Sequence, residues 1–305
     1  MRLRCSVPLV AAAIVLGATT ASAGAATLRA DDGVLRYRTD EAATVTAFTD
    51  GHELVLVDST ATSLDRALPD ECVVEPVDAG IGARCDARGP QLLRISTGDA
   101  PAQIAAADLP RRVALDVRLG DAENVVEGGA GDDRIIGGAG RDTLYGGPGD
   151  DLVVGGDGND YVRGNGGDDD VRGGEGLNFI FGDGGNDVLR GGSSFEFFTA
   201  GRGDDVVYGG DGGDDIGLGA GDDIAYGGDG DDEIRGGSGA DRIFAGAGDD
   251  LVRARDGEGD EIRCGAGTDV ARVDAAELDE ARRSCEKVRQ ADVPAVDPAD
   301  QDTVD

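Results

Sequence analysis

The blocks GGAGDDRII (128–136), GGAGRDTLY (137–145), GGPGDDLVV (146–154) and GGDGNDYVR (155–163) repeat one nine-residue unit. The unit runs without a slip from Gly128 to Arg253, in fourteen blocks. Glycine recurs at positions one, two and four, aspartate at six and an apolar residue at eight. So short a fixed period describes a stacked array, not a conventional globular core. Aspartate at one fixed point among glycines gives a recurring set of oxygen donors suited to a hard cation.

The pattern weakens at both ends. Residues 119–127 are a worn first unit, with Asn124 where the aspartate belongs. The array slips by one residue at Ala254, then resumes as RDGEGDEIR (255–263) and CGAGTDVAR (264–272).

The glycines allow φ above zero and leave carbonyl oxygens unshielded. The spacing predicts a six-residue turn and a three-residue strand per unit. Position eight points inward, so Ile135, Leu144, Val153, Val162, Val171, Ile180, Leu189, Val207, Ile216, Ile234, Ile243 and Val252 form a thin apolar core, with positions seven and nine facing out.

The 305-residue chain holds 62 acidic residues, 28 basic ones and one histidine, for a formal charge of -34. Such a charge excludes nucleic acid as a natural partner, because phosphate is repelled. It also predicts a metal-free array that repels itself. High charge and few aromatics suit a disordered acidic chain; the strict period and the regular position-eight Val, Ile and Leu argue against that.

Arg2 and Arg4, the apolar run 7–18 and Ala21-Ser22-Ala23 read as an export signal cleaved near Ala23. The run is too short to span a membrane, and no other segment is suited to it. In a secreted chain Cys72, Cys85, Cys264 and Cys285 are read as structural staples. Three pairings are open to four cysteines; proximity favours Cys72–Cys85 and Cys264–Cys285.

The unit matches G-G-x-G-x-D-x-U-x, and over about half its length the chain resembles the RTX, or haemolysin-type, calcium-binding repeat family. The resemblance implies a parallel β-roll with two units per turn. Calcium ions then lie between loops eighteen residues apart, held by position-six aspartates and loop carbonyls. Carried over unit by unit, the ligands are Asp133, Asp142, Asp151, Asp160, Asp169, Asp187, Asp205, Asp214, Asp223, Asp232, Asp241 and Asp250, with Asp260 and Asp269 continuing the series. The acidic position five (Asp132, Asp150, Asp168, Asp204, Asp222, Asp231, Asp249) is read as outer-shell or solvated charge. Oxygen-only ligands on flexible loops favour calcium over magnesium, and the central array has no His or Cys for zinc or copper.

The expected architecture is all-β: a parallel β-roll or β-solenoid of nonapeptide repeats with a small N-terminal β-rich cap. Residues 1–23 are the signal, 24–118 the cap, 119–272 the roll, 273–290 a C-terminal cap that is a short helix or irregular, and 291–305 a disordered acidic tail. Segments 34–38, 44–48, 53–57 and 92–95 read as strands, with a hairpin at Asp50-Gly51.

Two units break the pattern: GGEGLNFIF (173–181) and GGSSFEFFT (191–199) carry Asn178 and Glu196 in place of aspartate. They stack on one side of the roll, so a calcium ion is missing or weak there. Leu177 falls over Phe195 and Phe179 over Phe197, an exposed apolar ladder expected nowhere else in the array. Two readings stay open: aromatic packing that replaces the lost ion, or a contact patch for a partner protein or surface.

The functional expectation is a secreted, non-enzymatic calcium-binding protein with a structural or interaction role, which folds on meeting calcium. The alternative is a divergent secreted hydrolase with an RTX tail; the chain has no H-E-x-x-H and no G-x-S-x-G, and His52 reads as a turn residue. The long hydrophobic helices and modified lysines of the family's pore-forming toxins are absent; Lys287 is the only lysine. Many RTX proteins leave through a C-terminal signal, whereas this chain points to an N-terminal one.

Overall fold

The computed structural model describes residues 26–31, 34–50, 53–59, 64–67, 72–77, 80–86, 91–274, 280–281, 285 and 287–290. The expected signal and cleavage site, His52 and the acidic tail lie outside them. Every regular element among the described residues is a β-strand, and the strands form a parallel β-solenoid of about 10 turns. Successive units alternate between two sheets. In one, Arg134–Gly138, Leu152–Asp157, Asp170–Glu175, Val188–Arg190, Val206–Asp211, Ile224–Asp229, Arg242–Ala247 and Glu261–Ala266 follow one another. In the other run Thr143–Pro148, Tyr161–Gly166, Asn178–Gly184, Glu196–Arg202, Asp215–Ala220, Glu233–Ser238, Leu251–Ala254 and Val270–Val273.

The register matches residues one full turn apart: Val153 lies beside Val171, and Val162 beside Ile180. All twelve position-eight side chains expected in the core are 0% exposed, as are Phe198 and Ala225 at the same position. Full burial of one such aliphatic side chain contributes about 1.5–3 kcal/mol, an upper estimate because unfolded chains already hide some surface.

The strands are longer than the expected three residues. A typical one, Leu152–Asp157, continues through positions one to three of the next unit. Position one therefore also points inward. Ala200, Leu218, Ala245 and Cys264, which replace glycine there, are all 0% exposed. The true turn is confined to positions four to six. At position four Gly149 has φ +138°, and a Cβ there would lie 2.4 Å from the Gly131 carbonyl oxygen one turn away. A side chain would push the stacked turns apart.

Both sheets run past the start of the repeats without a break. Arg134–Gly138 pairs with Val113–Arg118, which pairs with Gln91–Thr97 and through it with Val34–Thr39, all parallel. Ala43–Asp50 and Glu53–Asp58 are antiparallel partners across the expected hairpin. Glu53–Asp58, Gly80–Asp86 and Cys72–Val77 complete that sheet edge, and the register sets Cys72 opposite Cys85. At the other end Glu280–Ala281 and Lys287–Gln290 are strands added parallel to the sheets, where a short helix or irregular cap was expected. Cys264 and Cys285 form a disulfide, as the spacing suggested.

Candidate metal centre

The position-six aspartates line the two edges of the roll, where the chain turns from one sheet to the other. All fourteen, Asp133 to Asp269, are between 0% and 4% exposed. A hydrogen bond ties each of them in place. From Asp142 on, each Oδ1 accepts the backbone N–H of the position-six residue one turn earlier, and Asp133 Oδ1 accepts that of Leu115 at 2.7 Å. Asp133 donates to Asp151 at 2.7 Å, Asp151 to Asp169 at 2.8 Å and Asp187 to Asp205 at 2.7 Å. The same bonds join Asp142 to Asp160 at 2.8 Å and Asp214 to Asp232 at 2.7 Å on the other edge.

The second carboxylate oxygen is the informative atom. In Asp142, Asp151, Asp160, Asp169, Asp187, Asp205, Asp214, Asp223, Asp232 and Asp250 the Oδ2 is buried and has no hydrogen-bond donor. Where position one is glycine, it lies over that glycine: a Cβ on Gly137 would stand 2.4 Å from Asp142 Oδ2. Asp133, in the first full unit, differs, since its Oδ2 accepts the Gly129 N–H at 2.6 Å.

Burial pushes these carboxyls up against a partly offsetting backbone bond, with neighbouring carboxylates adding in the same direction except at Asp214, which the Glu196 side chain lowers. Asp151, Asp205 and Asp241 reach about 8, and Asp160, Asp169, Asp223 and Asp232 about 7. Asp133, Asp187, Asp214 and Asp250 reach about 6, and Asp142 moves the same way. Holding such groups ionised at neutral pH calls for a compensating positive charge.

Asn178 shows what surrounds the orphaned oxygen. Its Oδ1 occupies the usual place and accepts the Asp160 N–H at 2.9 Å. Its Nδ2, where an aspartate would carry Oδ2, lies 3.2 Å from the Gly174 carbonyl oxygen and 3.0 Å from that of Gly176. The Asn178 Nδ2 and the Asp142 Oδ2 occupy the same place, against the glycine at position one, so an aspartate at 178 would face the Gly174 and Gly176 carbonyl oxygens. Three oxygens converging without a hydrogen repel one another; a cation resolves the conflict. Among the described residues no three His, Cys, Asp or Glu side chains converge on one point. A single carboxylate and backbone carbonyls are what each turn could offer a cation, and such an all-oxygen set fits calcium.

Position five has a role that the sequence reading missed. Asp168 N–H donates to Asp150 Oδ1 at 3.0 Å, Asn186 N–H to Asp168 Oδ1 at 2.8 Å and Asp204 N–H to Asn186 Oδ1 at 2.8 Å. These exposed side chains form a second ladder that runs opposite to the first, so they are more than solvated charge. The recurrence of Asp and Asn at position five was the available clue.

The two broken units stack as expected. Phe179 pairs in register with Phe197, and their ring centroids lie 5.9 Å apart. Leu177, Phe179 and Phe195 are 40%, 44% and 47% exposed. The expectation that no other exposed ladder exists is wrong. At position nine of the opposite sheet Tyr208, Tyr226 and Phe244 stack with centroids 5.0 Å apart, and Tyr208 and Tyr226 are exposed. Arg190 lies 5.4 Å from the first ring and Arg263 5.1 Å from the last, one at each end. Register repeats every outward position, not positions five and seven alone.

Comparison with known families finds the RTX calcium-binding nonapeptide repeat (4 copies) in the segments 120–153, 127–162, 163–195, 190–225 and 226–259. A search of the curated proteins gave no match.

Proposed function

Since residues 120–259 belong to the RTX calcium-binding nonapeptide-repeat family, we propose that this chain is a secreted, non-enzymatic calcium-binding protein whose roll folds as its turns fill with calcium. The observation that carries the reading is the row of buried Oδ2 atoms without donors. The proposed ligands are the aspartates Asp133 to Asp269 together with loop carbonyls of their turns. Calcium supplies the positive charge that these oxygens need; the chain supplies a rigid frame, because each Oδ1 is already tied to the neighbouring turn. Asp133 is the weakest of the set, since its Oδ2 already accepts the Gly129 N–H.

Two features support export. The N-terminal segment has the basic, apolar and A-x-A parts of a signal. The Cys264–Cys285 disulfide suits an oxidising compartment. Extracellular calcium modules bind with Kd on the order of 10⁻⁴–10⁻³ M, far above cytosolic calcium, so folding is coupled to release from the cell.

Calcium titration of the chain from residue 24 onward, followed by calorimetry and far-UV circular dichroism together, tests this. The expected result is several ions bound with a cooperative gain of β structure. Unchanged spectra and no heat at millimolar calcium would remove the calcium reading.

A further inference from the structure

Position six holds asparagine twice on one edge, at Asn124 and Asn178. The Asn178 turn keeps the backbone arrangement of its neighbours. Asn178 closes the unit that begins Gly173-Gly174-Glu175-Gly176, and Gly174 and Gly176 keep left-handed φ values of +95° and +104°. The difference is therefore chemical. The Asn178 side chain has a backbone N–H on one side and two carbonyl oxygens on the other, which fixes the amide's orientation. Its NH₂ group has two hydrogens, enough for Gly174 and Gly176. Asn124 is a variant of this: Oδ1 accepts the Ala102 N–H at 2.9 Å, and Nδ2 lies 2.6 Å from the Ala122 carbonyl oxygen and 2.9 Å from Asp142 Oδ1, with the Gly120 carbonyl oxygen farther off at 3.4 Å.

We propose that Asn124 and Asn178 are built-in replacements for calcium: their amide hydrogens hold the loop carbonyls that a cation holds in the aspartate turns. These two turns bind no ion and keep their shape without one. The inference rests on the calcium reading of the aspartate turns. A cation at either turn would meet the positive end of the amide dipole and would lack the carboxylate charge.

The consequence is an asymmetry between the edges. One edge has Oδ1 bonds linking Asp133, Asp151, Asp169, Asp187, Asp205, Asp223, Asp241 and Asp260 without a gap. On the other edge the bonds run to Asn178 and start again at Glu196, and Ser194 stands where the position-four glycine belongs. The ions of that edge fall into two groups, Asp142 and Asp160 before the break and Asp214, Asp232, Asp250 and Asp269 after it.

The test is a count of bound calcium in the chain from residue 24 onward, by native mass spectrometry and equilibrium dialysis at saturating calcium. Asn178→Asp restores the full glycine-aspartate turn and is expected to bind one ion more than the parent. The reverse change, Asp160→Asn, is expected to bind one ion fewer while its calcium-form β spectrum stays the same. Equal counts for the parent and a folded Asn178→Asp would overturn the proposal. Should Asn178→Asp fail to fold, Asp160→Asn decides by the same count, one ion fewer with an unchanged β spectrum supporting the proposal and an equal count overturning it. A parent that binds no calcium at all sinks the calcium reading itself, a distinguishable result.

Discussion

The two edges of the roll share one backbone and one period, yet they are built differently. On the Asp133–Asp260 edge every turn places a buried carboxylate against its own loop, and the bond from turn to turn never lapses. On the opposite edge two amides and one glutamate interrupt the series. Glu196, one methylene longer, is fully buried, accepts the Gly192 N–H at 3.3 Å and leaves Oε1 without a donor. Burial pushes its carboxyl up to about 8. Position six thus sets two properties. Any side chain with an oxygen at Oδ1 can join the turns, but only the group at the Oδ2 place decides whether the turn calls for a cation.

The largest effect that would break this comparison is that of pH on the calcium-free chain. The buried aspartates titrate at about 6 to 8 in the folded roll against about 3.9 in an unfolded chain. Between those values the folded state binds more protons, so its stability falls as pH rises. In chelator, far-UV circular dichroism is expected to show β structure gained as pH drops from about 8 to about 5. Loss of β structure on the same descent would mean that the carboxylates are not buried as described. With calcium present the trend reverses, because protons compete for the same oxygens.

Much of this was legible in the sequence. The nine-residue period, the inward position eight and the place of the aspartates follow from residue types alone, since Val153 or Asp151 announces its side by its chemistry. Position one was hidden because glycine carries no side chain to show which way it points; only Leu218 and Cys264 reveal a second inward column. Asn178 read as a lost ligand, because the carbonyls that its amide meets are backbone atoms that no sequence displays. The strands before residue 119 join the same sheets at a spacing that is not eighteen, as when Leu93 pairs with Leu115. No period search would connect them.

A smaller effect sharpens the division of labour within one aspartate. Asp205 lies in the unbroken row and accepts the Asp187 N–H through Oδ1. Asp205→Ala removes both the bond acceptor and the proposed calcium ligand. In saturating calcium it is expected to lower stability by about 1–3 kcal/mol, the cost of stranding a buried donor, on top of the loss of one ion. Asp205→Asn keeps Oδ1 and offers Nδ2 to the loop carbonyls, so it is expected to lose the ion at less than half that cost. Urea unfolding of the two variants checks this. Equal losses would show that the bond between turns carries no separate stability.

The smallest effect concerns what holds the break together. Where the Oδ1 series lapses, between Asn178 and Glu196, Phe179 and Phe197 pack across the same pair of strands. An aromatic pair contributes about 0.5–1.5 kcal/mol beyond its burial. This is the scale of the single backbone hydrogen bond that is absent there, so the rings can offset the missing bond without needing an ion. Replacing both with serine is expected to lower stability by at least that amount, since the buried part of each ring is lost as well, and to leave the number of bound ions unchanged. A changed ion count would instead place calcium at Glu196 and make the two edges more alike than their side chains suggest.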